Sequence, residues 1–449
     1  MKSKLKFLII IFALNFLALQ ALAEAKNNYN FPASFDLRDY NRVTAPKFQN
    51  FPGPCWAFAA VSACESNYLT QNFNFINNIN LSELHLAYLA YKNLDNKKNF
   101  TPFKYKNSGR VLSGEGNAFI STAVLSRLDG LVHENDAPYS LETIKNFNNL
   151  KFKNILRVTD VYNLSLSQET LNPDAAKYLI KTHGAVTASF YSDFNKYKAI
   201  NNFYTYFNNT HDDLTTHDVI LIGWDDNFSR NNFLPKPERN GAWLAQNSWG
   251  SGWGVNKGCF WISYEQYMRG GIAFITAKPN KLLTHYGYDD LGYCKHLKFN
   301  YAANIFKIKS NHETLDSVAF YTTRNDAIYE IFIYNLNFTQ PRSPVSGNIL
   351  FKSSGKIKFA GYHTVNLNLK NLNQITFKQG QYFSVIIKLD CPIACESMIK
   401  GYTDNFAINT GESFFSRDNK NNNNKNWIDG SSLTDPANAC IKAFTRKLF

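Results

Sequence analysis

Four residues in this chain have the types and positions that acyl-transfer chemistry requires. Cys55 directly follows Pro54 and opens a helical pattern, so its sulfur is expected to meet the free N–H groups and the positive end of a helix. A thiol placed there is expected to lose its proton more readily and to act as a nucleophile near neutral pH. His217 stands immediately before the apolar run Asp218-Val219-Ile220-Leu221-Ile222-Gly223-Trp224, where a strand would hold an imidazole rigidly. Asn247, within Asn247-Ser248-Trp249-Gly250, offers a side-chain carbonyl that can accept the imidazole N–H and fix its tautomer, and Trp249 would keep water from that bond. Gln49, six residues before Cys55, can direct a side-chain N–H at an oxyanion beside the Cys55 backbone N–H. A lone cysteine is more often buried or bridged. Four complementary groups together outweigh that reading.

The elements that would position these groups follow from periodicity. Residues 55–70 and 83–91 carry helical patterns, the second with Ser82 as its N-cap, and 117–128 and 175–182 are further helices. Residues 186–190, 219–224, 242–246 and 260–264 read as strands. The chain up to about residue 275 therefore starts helical and finishes in strands. Lys278-Pro279-Asn280-Lys281 reads as a linker, and beyond it the pattern turns to β at 317–322, 327–334, 356–367, 382–389 and 439–445, as in a sandwich or jelly roll. The polar stretches 93–108 and 418–426 read as loops.

Cys early, His and Asn late, and Gln just upstream make the arrangement that resembles the papain-like cysteine peptidases. The resemblance runs from Phe35-Asp36-Leu37-Arg38 to about Tyr264 and rests on Gln49, Cys55-Trp56-Ala57-Phe58, Leu81-Ser82-Glu83, His217 and Asn247-Ser248-Trp249-Gly250. It implies an α+β fold: a two-lobed catalytic domain with a helical left lobe and a β-barrel-like right lobe. Tyr288-Asp289-Asp290-Leu291-Gly292-Tyr293 and Gly411-Glu412-Ser413-Phe414 resemble the lectin-like β domain that follows some secreted bacterial members. That implies an all-β sandwich or jelly roll after the catalytic domain, and carbohydrate binding does not follow from its shape. The resemblance also implies that Gly116 pairs its backbone with bound peptide and that Asp218 lines the second substrate subsite, where a carboxylate would favour Lys or Arg. The competing readings are an ordinary helix-entry glycine and an Asp turned to solvent or to a backbone N–H. There are departures. Pro52 and Pro54 replace a Cys and a Ser that are frequent in the family, and His217 lies 162 residues after Cys55 (217 − 55), beyond the usual span of roughly 130–150. Only a short polar leader precedes Phe35 where many members carry a long inhibitory segment.

Composition bounds the rest. With 449 residues, 44% hydrophobic and 15% aromatic, the chain is too apolar to be disordered and long enough for two or three domains. The formal charge of +13 is spread over lysines scattered among asparagines, which gives no reason to expect specific nucleic-acid binding. Lys2, Lys4 and Lys6, an apolar core over 7–18 and Ala21-Leu22-Ala23 make a signal peptide with cleavage after residue 23. The expected organisation is a signal peptide 1–23, a catalytic domain 24–278 and a lectin-like β-sandwich 279–449, secreted or periplasmic, with no transmembrane anchor after cleavage. Seven cysteines in an exported chain predict one free thiol and up to three bridges. Pairing among Cys294, Cys391, Cys395 and Cys440 is the economical choice, and Cys64 with Cys259 a weaker one. No cofactor or metal site is expected: Cys391 and Cys395 lack a second zinc-spaced pair, His211, Asp212 and Asp213 read as a solvated loop, and Asp289-Asp290 reads as a turn rather than a calcium site.

The expected function is secreted cysteine endopeptidase. Cys55 is the nucleophile, His217 the acid–base, Asn247 its positioner, Gln49 an oxyanion donor, and Trp249 and Trp56 the support. Its partner would be a protein or peptide substrate, with a cell-surface or glycan ligand conceivable for the β domain. Two alternatives remain: a transpeptidase or ligase on the same groups, and a non-catalytic adhesin or glycan-binding protein.

Overall fold

The structure, a computed structural model, describes residues 30–50, 53–91, 116–166, 171–210, 214–337, 339, 341–367, 376–398, 408–417 and 427–447. The expected signal peptide, Pro52, Gly114, Glu115, His211, Asp212, Asp213 and the loops 93–108 and 418–426 lie outside the described residues.

Two helical and strand-rich lobes come first, then an all-β sandwich. Helix Cys55–Thr70 is rich in Ala and buried nearly all round, as befits a helix at the centre of a lobe rather than on its surface. It packs on strands His217–Asp225 and Arg269–Ala277, which join the helical lobe to the strand-rich one. Helix Glu83–Tyr91 follows the buried Ser82, whose hydroxyl accepts from His85 N–H at 3.0 Å. Asn117 caps helix Ala118–Leu125, its Oδ1 accepting from Phe119 and Ile120 N–H at 3.0 and 3.1 Å. Helix Pro173–His183 has Asn172 as its cap, Pro at its first position, and Gly184 at its end with φ +92°.

A 14-stranded sheet crosses from the lobes into the sandwich. From one end it runs Leu283–Tyr286, Ile441–Lys447, Glu313–Thr322 and Gly361–Asn366. It continues through Arg157–Asn163, Arg269–Ala277, Val186–Phe190, His217–Asp225, Ala242–Gln246 and Cys259–Ser263, and ends in Phe203–Tyr206 and Tyr197–Ile200. A six-stranded sheet carrying Ala327–Asn337 and Tyr382–Leu389 forms the opposite face of the sandwich. The stretch 356–367, expected as one strand, is two: Asn348–Ile357 belongs to the six-stranded sheet and Gly361–Asn366 to the long one. The break falls just before Gly361, whose φ of +140° is open to glycine and not to a residue with a side chain.

Gly361 sits where the two parts of the chain meet. Gly361 and Tyr362 pair with Tyr162 and Val161, and Asn163 N–H reaches Ala360 O at 2.8 Å. Thr364 adds a hydroxyl bond to Thr159 O at 2.5 Å and a backbone bond to Asp160 Oδ1 at 3.2 Å. Tyr321, Phe359, Tyr362 and Phe444 then join the same apolar cluster as the helix residues Trp56 and Tyr68. Continuous strand pairing and a shared core bind the sandwich to the lobes far more firmly than a linker would.

The expected disulfides are not made. All seven cysteines are free thiols. Cys395 pairs with Ala439, and Cys440 falls between strands Ala437–Ala439 and Ile441–Lys447. Cys395 lies in the sandwich core and Cys440 in the core shared with the lobes. Cys64 is wholly buried on the central helix, whereas Cys259 begins a strand beside Arg38.

A Cβ on Gly361 would lie 1.9 Å from Val161 O. Gly361→Ala should therefore cost about 1–3 kcal/mol and lower the thermal midpoint of the whole chain, measured by intrinsic fluorescence. An unchanged midpoint would mean that the strand junction does not hold the two parts together.

Candidate functional site

Strand His217–Asp225 and the loop after strand Ala242–Gln246 bring the imidazole and the Asn side chain together. His217 Nε2 and Asn247 Oδ1 are 2.8 Å apart, and both residues are buried. Asn247 Oδ1 also accepts from Ser248 N–H at 2.9 Å. A backbone donor on that atom identifies it as the oxygen, so His217 must carry its proton on Nε2. Nδ1 is then the nitrogen left to exchange protons. The Trp249 ring stacks on the imidazole at 4.9 Å and 26°, and Phe190 meets it edge-on at 5.9 Å. Trp249 is held in turn by Phe194, stacked at 5.1 Å, and by Trp253, edge-on at 4.9 Å. This aromatic enclosure dries the bond and accounts for the charge state: burial, only partly offset by Asn247, lowers the His217 pKa to about 4.

Cys55 begins the central helix, with Pro54 before it. Its sulfur lies against the backbone N–H of Asp218, the residue next to His217, and receives further help from the N–H groups of Trp56 and of Cys55 itself. The expectation of a lowered thiol pKa is reversed. Burial, aided by the charge of Asp218, pushes the Cys55 thiol up to about 12 despite those three N–H groups. The helix terminus contributes, but desolvation of a thiolate costs more.

Gln49 lies beside this helix entrance. Its backbone N–H reaches Ser248 O at 2.8 Å, its Oε1 accepts from the Ser248 hydroxyl, and its Nε2 donates to Gly53 O at 3.2 Å. Gly53 O accepts from Cys55 N–H as well, at 2.9 Å. Pro54, with φ −77° and ψ 71°, has the inverse γ-turn geometry that closes this second bond. One carbonyl therefore takes the Cys55 N–H and one of the two Gln49 Nε2 hydrogens, the donors expected for an oxyanion.

Gly116 lies directly against the buried Trp56 indole, and a Cβ there would come within 2.4 Å of it, so no other residue fits without moving the ring. Asp218 is 9% exposed, and its carboxyl takes a hydrogen bond from the Ser189 side chain, its register partner across the sheet. Burial raises that carboxyl to about 6. In the sandwich, Asp289 is fully buried and ion-paired to Lys442.

Sequence reasoning missed what holds Gln49 in place. Lys47 Nζ donates to Glu65 Oε1, Leu81 O and Glu83 Oε1 at 2.9, 2.7 and 2.7 Å. Burial opposes its charge, but the two carboxylates outweigh that and hold its pKa above the usual lysine range. Burial raises Glu83 to about 8 in spite of Lys47. From this anchor the chain runs through the Phe48–Trp249 bridge to Gln49, so the helical lobe and the Asn247 loop are tied together two residues from the site. The sequence did contain a signal: Glu65 is a charge in the middle of an otherwise apolar and small helix.

Comparison with known proteins agrees with this architecture. Residues 31–277 match the profile of the papain family of cysteine proteases, and residues 285–445 that of the lectin-like domain. A "cysteine protease" of Blomia tropicalis is 28% identical over 233 residues, 51% of this chain and 60% of its own length. Falcipain-2a of Plasmodium falciparum is 29% identical over 240 residues, 52% of this chain and 43% of its own length. The chain thus spans about half the length of the curated relatives it matches. The cysteine protease and lectin-like domains of Cwp84, a surface layer associated protein of Clostridium difficile, superpose with a TM-score of 0.75 at 25% identity, covering 96% of both chains. A second Cwp84 structure, after propeptide cleavage, gives 0.74 at 26% identity over 92% of this chain and 99% of that one.

Proposed function

The chain belongs to the papain family of cysteine proteases, with a lectin-like domain after the peptidase fold, and we propose that it hydrolyses peptide bonds through Cys55, His217, Asn247 and Gln49. The observation that carries this reading is the enclosed 2.8 Å bond from His217 to Asn247, one residue from the N–H that faces the Cys55 sulfur. His217 Nδ1 takes the Cys55 proton as the sulfur attacks the peptide carbonyl carbon. Separately, each charge is disfavoured by burial. Formed together, thiolate and imidazolium stabilise one another. The imidazolium then gives its proton to the departing amine, leaving a thioester on Cys55. Water, giving a proton to His217, attacks that thioester and releases the acid and the thiol.

The carbonyl oxygen gains negative charge in both additions, and Gln49 Nε2 and Cys55 N–H are the donors available to it. Both now serve Gly53 O. The Cys55 N–H reaches the oxyanion only when the Gly53 carbonyl is displaced, and Pro54, which closes the turn, sets the cost, whereas Gln49 Nε2 has a second N–H to offer. Asp218, beside the acid–base residue, supports a preference for Lys or Arg at the second substrate position whenever its carboxyl is ionised. An exported location is supported by the basic and apolar start of the chain and by the surface-layer association of Cwp84. The lectin-like domain would supply a binding surface beside the peptidase.

The mature protein under mild reduction should cleave fluorogenic peptides. Cys55→Ala should abolish cleavage, and Asn247→Ala should lower kcat by about 100-fold or more. With Asp218 titrating at about 6, the preference for basic second residues should be full above pH 7 and fade below pH 5, and Asp218→Asn should remove it throughout. No cleavage by the parent, or equal cleavage by Cys55→Ala, would overturn the reading, and amide rather than acid product with an added amine would favour acyl transfer. Pro54→Ser, which introduces a residue that favours extended backbone at a helix N-cap, should free Cys55 N–H and raise kcat severalfold with little change in KM. An unchanged kcat would show that the Gly53 turn imposes no barrier.

A further inference from the structure

A cavity of about 500 Å3 opens between the helical lobe and the chain segment that leads into the sandwich, away from the peptidase groups. Its cationic walls are Lys153 and Arg157 from the lobe and Lys281 from the connecting segment, and among the described residues no carboxylate lines it. Arg157 Nε is buried and has no hydrogen-bond partner among the described residues. Two aspartates lie within electrostatic reach of Arg157, but both have other partners: Asp316 is ion-paired to Arg446, and Asp160 accepts from Thr364 N–H at 3.2 Å and faces His363 Nδ1 at 3.7 Å. Burial outweighs them and lowers the pKa of Arg157. A partly buried guanidinium with an orphaned N–H, beside two exposed lysines, is a site short of negative charge.

The remaining walls narrow the ligand. Phe152 and Leu128 give apolar surface, and Asn154 and Asn280 give amides from opposite sides. Leu128 holds φ +69°, an uncommon conformation for a bulky residue, and its carbonyl takes the Asn154 amide at 3.0 Å. Asn280 Oδ1 accepts Leu282 N–H at 3.1 Å, which turns the connecting segment against the cavity. Cations for a phosphate, amides for hydroxyls and an apolar wall for ring C–H groups are the complement of a phosphorylated sugar. We propose that this junction cavity binds a phosphorylated saccharide, with Arg157, Lys153 and Lys281 on the phosphate and Phe152 against the sugar ring. The site is independent of the peptidase reading, and it joins the lobe to the segment leading into the lectin-like domain.

Calorimetric titration of the full mature chain with glucose 6-phosphate, inorganic phosphate and glucose tests this. Saturable one-to-one binding is expected for the sugar phosphate, at least about tenfold tighter than phosphate, with no detectable binding of glucose, and weakening as salt rises. Arg157→Gln should lose at least about tenfold in affinity. Because Lys153 and Lys281 are exposed, Lys153→Glu and Lys281→Glu keep the fold, and each should weaken binding similarly while leaving peptide hydrolysis unchanged. Absence of saturable binding, phosphate as tight as the sugar phosphate, or full affinity in both lysine variants would each overturn the proposal.

Discussion

A single neutral hydrogen bond, from His217 Nε2–H to the Asn247 side-chain oxygen, is the constraint around which the rest of the structure is arranged. It works only if the amide cannot turn over and water cannot compete. The Ser248 N–H supplies the first condition by fixing which Asn247 atom is oxygen. Trp249, propped by Phe194 and Trp253, supplies the second. The enclosure has a consequence: the imidazole is held neutral, with its pKa near 4, and the nearby thiol is held protonated. At rest both groups are therefore neutral.

The same constraint explains the charged groups buried elsewhere in the lobe. Isolated charges in an apolar core are costly, yet Glu65 and Glu83 are buried and Lys47, half-buried, reaches in to both. Their bonds converge on the segment that carries Phe48 and Gln49, and through the Phe48–Trp249 bridge they fix that segment against the Asn247 loop. The long sheet does similar work at larger scale, because His217 lies on a strand that belongs to the sheet continuing into the sandwich.

Much of this was legible in the residues. Cys55, His217, Asn247 and Gln49 stood out because their chemical types complement one another, and strands such as Val186–Phe190 and Ala242–Gln246 and the helix Cys55–Thr70 have the bounds their periodicity indicates. What was not legible depends on three-dimensional environment. The helix-terminus argument for Cys55 ignored desolvation, which sequence does not display, so it gave the wrong direction for the thiol. Counting cysteines indicates bridges, whereas Cys395 and Cys440 belong to different cores. The pattern over 356–367 was read as one strand because alternation continues through Gly361, and only its positive φ and its approach to Val161 mark the change of sheet. Strand Arg157–Asn163, which carries the junction, has too mixed a composition to be distinguished by alternation.

The central claim is that His217, held by Asn247, is what takes the proton of Cys55. The rate of Cys55 alkylation by iodoacetamide, followed by mass spectrometry between pH 6 and 8 in the parent and in Asn247→Ala, tests it most directly. The account predicts that Cys55 is modified ahead of the other six thiols, all but Cys294 of which are buried, and that Asn247→Ala slows this by at least about tenfold. Equal rates in the two proteins, or modification of Cys294 before Cys55, would contradict it.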